Sequence, residues 1–240
     1  MTGFVQNFPT HSVASGVNAQ AITPSAIGNQ LIAVYSYNGT SITPVAPTDS
    51  SGDTWILLVT NGAHGGETIA IAYLLSCSST ASRTITWATA GNGNTQSISE
   101  WNGITAPGGT PVFAGAATLT TVTSPSYTPS QANEVVFAGL SLGGVSTPDQ
   151  LQCTTAAFQS IGTLTDFGGF NCIGVQQAGA TFDSAEANAA IVASASPLTV
   201  TWTFLSNNAN SIVAGFKYTP GVSAANVPHM NYGFQPMMAS

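Results

Sequence analysis

The sequence predicts an all-β fold made of two tandem, sequence-related β-sandwich units packed together. Three observations carry this. Apolar residues alternate with period two in several short segments, clusters of Gly, Asn, Ser and Asp separate those segments, and the segments recur in the same order in the second half. One merged jelly-roll sandwich, with each half supplying strands to both sheets, is the alternative arrangement.

In chain order, LIAVYSY (31–37) is the first clear strand, rich in the β-branched and aromatic residues that suit a pleated, half-buried surface. TIAIAYLL (68–75) sets Ile69, Ile71 and Tyr73 against Ala70 and Ala72, a large-residue face and a small-residue face. TITW (84–87), SISEW (97–101), VVFAGL (135–140) and TVTWTF (199–204) alternate in the same way. Turn clusters fall at TDSSGD (48–53), NGAHGG (61–66), GNGN (91–94), FGGFN (167–171) and SNNAN (206–210). The Ala-rich stretch DSAEANAAIVAS (183–194) reads as a short helix or a loop.

The recurrence has two anchors. NQLIAVYSYNG from Asn29 matches NEVVFAGLSLGG from Asn133, each after a TPS segment (23–25 and 128–130). TITW ends at Trp87 and TVTW at Trp202, each followed by an Asn/Gly cluster and a further strand. Asn29 and Asn133 lie 104 residues apart and the two tryptophans 115, which places about 11 extra residues in the second copy, assigned to 183–194. The organisation expected is an N-terminal arm (1–9), repeat 1 (10–105), repeat 2 (106–219) and an apolar C-terminal arm (220–240), each repeat of about immunoglobulin size. The junction TAPGGTP (105–111) is too short for two independent beads.

The first copy also contains APTDSSGDTWILLV (46–59), followed by AIAYLL, TITW and ISEWNGI. This succession resembles a group of duplicated β-sandwich proteins found in tailed-phage genomes and on bacterial surfaces, and the likeness covers most of the chain. The resemblance implies a virion structural or surface-binding role, capsid decoration among them. It brings no catalytic residues, because its motifs are turns and strands.

Composition excludes several functions. Only 5% of the residues are charged, with Lys+Arg 2 and Asp+Glu 9, for a net charge of −7. Two cations cannot neutralise a phosphate backbone or an anionic membrane surface, so neither nucleic acid nor membrane is an expected partner. No apolar run approaches the roughly 18 residues of a spanning helix, and the start MTGFVQNFPTHS lacks the pattern of a signal peptide. Cys77, Cys153 and Cys172 have neither disulfide-framework nor zinc spacing, although Cys153 and Cys172 could bridge on adjacent strands. Reduced, half-buried thiols are the simpler reading.

Candidate chemistry is sparse. Asp49 and Asp53 could offer oxygens to Ca²⁺, but their spacing is not that of an EF-hand, and an Asx turn at Asp49 with Gly52 at positive φ explains them better. His64 and Glu67 share a Gly-rich loop without a third ligand. Glu100 and Glu134 could be a glycosidase pair, yet they fall in different copies. No G-x-S-x-G elbow occurs. Neither a catalytic residue, a metal site nor a cofactor is expected. Trp87 and Trp202 read as equivalent core anchors; Trp55, beside a turn, is the candidate for stacking on a glycan, with core packing the leading reading for it as well.

The neutral surface bears on the role. Sheet edges are usually guarded by charge, and Arg83 and Lys217 are the only cations. Covered edges resolve that conflict. The tail supplies Met230, Tyr232, Phe234, Met237 and Met238, apolar side chains suited to a groove on another chain. The expected function is a non-enzymatic virion protein of a tailed phage, a capsid decoration or other head-surface subunit, assembled in the host cytoplasm. Its expected partners are the major capsid protein, other virion subunits and further copies of itself. The alternative is a carbohydrate-binding module or adhesin on a phage tail or bacterial surface.

Overall fold

The structure, a computed structural model, describes residues 3–38, 43–64, 67–143, 171–176, 184–192 and 194–219. They form an all-β fold of antiparallel sheets with a sandwich-like architecture. The first sheet holds β1 (Phe4–Asn7), β2 (His11–Ile22), β3 (Gln30–Asn38), β4 (Thr48–Asp49), β5 (Ile56–His64), β6 (Glu67–Leu74) and β7 (Arg83–Trp101). Its order is β1-β7-β3-β6-β5, with β2 and β4 also on β7. The second holds β8 (Ile104–Pro107), β9 (Val112–Thr123), β10 (Glu134–Gly143), β11 (Asn171–Gln176), β12 (Ser184–Val192) and β13 (Thr201–Tyr218). Its order is β11-β12-β10-β13-β8, with β9 also on β13. Apart from β4, which has no counterpart, the two orders match: each has one long strand with two further strands paired along one side of it and three more in series on the other.

The long strands explain the curl. GNGN (91–94) and SNNAN (206–210) do not end strands, as the sequence suggested; they lie inside β7 and β13. Gly and Asn there absorb irregularities of pairing and not a reversal, with register shifts opposite Gly16/Asn18 in β2 and around Asn207 in β13. Gly16 and Gly93 take positive φ at the bend of the first sheet. The two halves of β7 then face each other. Ile85 and Trp87 from its first half join Ile98 from its second in one apolar cluster with Leu31, Tyr35 and Trp55 inside a half-barrel. Val200 and Trp202 meet Val213 likewise in the second sheet.

The Ala-rich stretch predicted as helix or loop is also corrected. It is β12, paired with β10 on one side and β11 on the other. Ala189 and Ala190 are buried; packing overrides alanine's helical preference. As a strand it corresponds to β6, so it is no insertion. The extra residues of the second half lie between β10 and β12.

Side-chain faces refine the internal correspondence. Ile32 and Phe137, 105 residues apart, both point between the sheets. Gly28 and Asn133, also 105 apart, both take positive φ. Matching Asn29 to Asn133 is therefore off by one, which in a strand exchanges the faces; Asn29 corresponds to Glu134. Trp87 and Trp202 keep their separation of 115.

The sheets meet over a third cluster. Ile32, Val34, Ile69, Ile71, Tyr73 and Trp101 of the first sheet pack on Val135, Phe137, Ile212, Phe216 and Tyr218 of the second. Edge-to-face ring contacts link Trp101 to Phe137 (5.4 Å) and Tyr73 to Phe216 (5.4 Å) across the seam. Both faces of β3, β6 and β10 are thus buried. Gly139 lies where the sheets come closest: a Cβ there would stand 2.8 Å from Ile69 Cδ1 and 2.9 Å from Val34 Cγ1. Gly139→Ala is expected to overpack this seam and destabilise the fold by about 1–3 kcal/mol, read as a lower urea midpoint at unchanged m-value.

Candidate functional site

The charged residues are few enough to follow individually. Arg83, at the start of β7, is buried and donates to Asp49 (3.1 Å), Asp53 and the Ser79 carbonyl (2.6 Å). Asp49 also accepts the Ser51 N–H (2.8 Å), making the Asx turn expected, and Gly52 has φ +82°. The TDSSGD turn is therefore clasped to the sheet by its own cation. Burial pushes the Asp53 carboxyl up, but Ser78 and Arg83 outweigh it and hold the carboxyl below the usual range.

Two glutamates serve the TPS segments. Glu100, on β7, accepts the Ser25 N–H (2.9 Å) and hydroxyl (2.8 Å), Asn29 Nδ2 (2.6 Å) and Gln6 Nε2. Burial alone would raise its carboxyl; these donors hold it below its usual range. Glu134, on β10, accepts the Ser130 N–H (2.7 Å), the Ser130 hydroxyl and the Tyr127 hydroxyl (2.7 Å). Burial, then the hydrogen bond to and negative charge of Glu134, push the Tyr127 phenol well above its ordinary value.

These two carboxylates do one job from different strands. Leu31 pairs with Glu100 as Val136 pairs with Gly215, so Glu100 corresponds to Gly215 and Asn29 to Glu134. A Cβ on Gly215 would lie 2.5 Å from Glu134 Oε2. The side chain of Glu134 fills the space into which a residue at 215 would project. In the first sheet the long strand carries the acid, and Asn29, just before β3, the amide. In the second, β10 carries the acid and the long strand is reduced to glycine.

Glu67 is the third buried glutamate. Its Oε2 accepts from Ser141 (3.1 Å) of the other sheet, and its backbone carbonyl accepts from Asn210 (3.0 Å). It pins the sheets together at the far end of their seam. β5 pairs His64 with Glu67 along the backbone; the His64 side chain lies outside the described residues.

The result is an inversion of the common surface pattern. Seven charged side chains are described, Asp49, Asp53, Glu67, Arg83, Glu100, Glu134 and Lys217, and none is exposed. Strands paired on both sides, β6, β7, β10, β12 and β13, carry Glu67, Arg83, Glu100, Glu134, Glu186 and Lys217. Of the outer strands, β1, β2, β5, β8, β9 and β11 contain no Asp, Glu, Lys or Arg, and the two-residue β4 carries Asp49, whose buried side chain pairs with Arg83. Val17 of β2 and Phe113 of β9 are 47% and 39% exposed on those strands.

The sequence-predicted sites fall out as follows. Trp55, the candidate for glycan stacking, is 4% exposed, packs in the half-barrel core and donates through Nε1 to Asp49 (3.3 Å). Burial agrees with core packing, the leading reading, and corrects the glycan-stacking candidate, since a covered face cannot stack on a sugar. Trp87 and Trp202 are both buried, Trp87 stacked on Tyr35 at 4.4 Å. Glu100 and Glu134 each belong to their own TPS segment and are saturated with protein donors. Cys77 is a free, buried thiol, pushed by burial up to about 11. Cys153, the Cys172 side chain and the arm residues Met230, Tyr232, Phe234, Met237 and Met238 lie outside the described residues. What the sequence did not disclose was the pairing of TPS with a carboxylate; the repetition of TPS was the available signal. Among the described residues no cluster of three metal-ligating side chains occurs. No family model, curated protein or solved structure matches the chain.

Proposed function

We propose that this chain is a non-enzymatic structural subunit, joined to neighbours through uncharged sheet edges, and that the assembly is the head of a tailed phage, where it decorates or cements the capsid. One observation carries the reading: charge is spent inside the sheets and withheld from their rims. A free-standing β protein protects its edge strands with Lys and other charges, and β2 and β9 have none. A neutral hydroxyl- and amide-rich rim is the kind that a neighbour covers at low desolvation cost. The major capsid protein and further copies of this chain are the partners this reading names. The saturation of Glu100 and Glu134 by protein donors favours a role without catalysis, since neither is placed to exchange a proton with a substrate.

The test is twofold. Light scattering across a concentration series is expected to give an assembly that Val17→Lys or Phe113→Lys on the exposed rim disperses. A monomer at every concentration, unchanged by either substitution, overturns the edge-pairing role. Mass spectrometry of purified particles from the source is expected to find the chain with the major capsid protein. Its recovery only from soluble or cell-surface fractions overturns the virion role.

A further inference from the structure

The half-barrel of the first sheet and the matching core of the second are lined differently, and the difference points to a ligand. On the inner face of the first, Asn18 stands opposite Trp87, Gln20 opposite Ile85, Tyr35 opposite Gln96 and Tyr37 opposite Asn94. The four amide side chains are at most 4% exposed. Gln96 Nε2 donates to Asn18 Oδ1 (2.6 Å) and to the Ile85 carbonyl (3.4 Å), tying the group together. In the matching core of the second sheet the corresponding places hold Val122, Ser124, Ser211 and Ala209, facing Leu140 and Leu142. The fold therefore closes this space without amides, and their presence in the first copy has another cause.

Three of these amides carry buried oxygens that no protein group satisfies: Gln20 Oε1, Asn94 Oδ1 and Gln96 Oε1. Turning the amides over does not remove the deficit. Each amide nitrogen already donates to an oxygen, of Pro9, Gly16 and Asn18 respectively, so a flip would set oxygen against oxygen. An unmatched buried carbonyl is expensive, and three on one face call for a donor. Trp87 Nε1 is unmatched on the same face, although Trp202 Nε1 is too, so the indole is shared and the oxygens are distinctive.

We propose that the half-barrel of the first sheet binds hydroxyl groups on this amide face. An O–H donates to the carbonyl oxygens and its own oxygen can accept from Trp87. A bare cation would satisfy the oxygens and face the indole N–H without accepting from it, and no carboxylate joins the set among the described residues. The hydroxyls come either from enclosed waters or from a small polyol or sugar.

The test is an experimental structure of the full chain, from crystals grown without polyol and from crystals grown with glycerol or glucose, with melting curves in each. Ordered oxygen at about 2.6–3.0 Å from Gln20 Oε1, Asn94 Oδ1 or Gln96 Oε1 is the expected result. If it appears without polyol, and glucose shifts the midpoint of the wild type and of Gln96→Met equally, the source is water. If glucose raises the wild-type midpoint by about 3 °C or more beyond that of Gln96→Met, the source is a polyol. Amide oxygens that touch only protein atoms overturn the proposal. So does density that exchanges for rubidium with an anomalous signal, which would make the site a cation site.

Discussion

Replacing Glu100 by glycine is expected to destabilise the protein by about 2–4 kcal/mol, because it strands the buried Asn29 amide and takes the acceptor from the partly buried bonds of Ser25. Ser25 loses the acceptor for both its N–H and its hydroxyl, and Asn29 loses its 2.6 Å partner. The second sheet then supplies the rescue. It keeps the same acid on the neighbouring strand, with Gly215 of the long strand leaving room for its carboxylate. Glu100→Gly combined with Asn29→Glu rebuilds that arrangement in the first sheet and is expected to recover at least about half of the loss, well beyond additivity. Urea denaturation of the two single variants and the double one measures it; an additive double variant would show that the two carboxylate placements are not interchangeable. The pH dependence has a definite sign. The folded Glu100 carboxyl lies below its ordinary value of 4.5. Its contribution is complete above that value and disappears as pH falls through the lower folded one. Glu100→Gly should therefore lose its disadvantage in acid.

Arg83→Met is expected to cost about 3–5 kcal/mol by leaving Asp49 and Asp53 without their cation. The side chains of Arg83 and Asp49 are fully buried, so solvent does not screen the loss. Removing all three charges together, with Asp49→Asn and Asp53→Asn, is expected to cost less than Arg83→Met alone, since no unpaired charge remains inside. Lower pH should narrow the gap between wild type and Arg83→Met. Asp53 in the wild type is held below its ordinary 3.8, so the stability it lends is lost as pH falls through the folded value. Thermal melts at neutral and acid pH check both statements; a gap that stays the same in acid would mean that Arg83 acts by packing and not by charge.

Much of the architecture was legible because it rests on alternation. Ile69, Ile71 and Tyr73 face the seam and Ala70 and Ala72 the half-barrel, as the large and small faces of TIAIAYLL indicated. Trp87 and Trp202 occupy matching cores for the same reason. Three things were not legible. GNGN and SNNAN carry the composition of turns, but a strand can bend through Gly and Asn without reversing, and composition does not separate the two outcomes. The Ala-rich β12 has no local preference for extension; its neighbours impose it. Asn29 and Asn133 are identical letters in similar surroundings, yet the match is one residue out of phase, because identity of letters is silent about which face a side chain takes. The carboxylate exchange was hidden by the same fact: only the pairing of Leu31 with Glu100 and of Val136 with Gly215 reveals that acid and space have traded strands.

The ends of the described fold are tied into one knot. Asn102 N–H donates to the Gly3 carbonyl (2.6 Å), Thr219 N–H to the Gly103 carbonyl (2.8 Å), and Gly3 sits against the Tyr218 ring. First strand, crossover and last strand thus converge at a single point. A tug applied at residues 3 and 219 would load that point and bypass both curled walls. The same convergence sets the two ends of the described fold side by side.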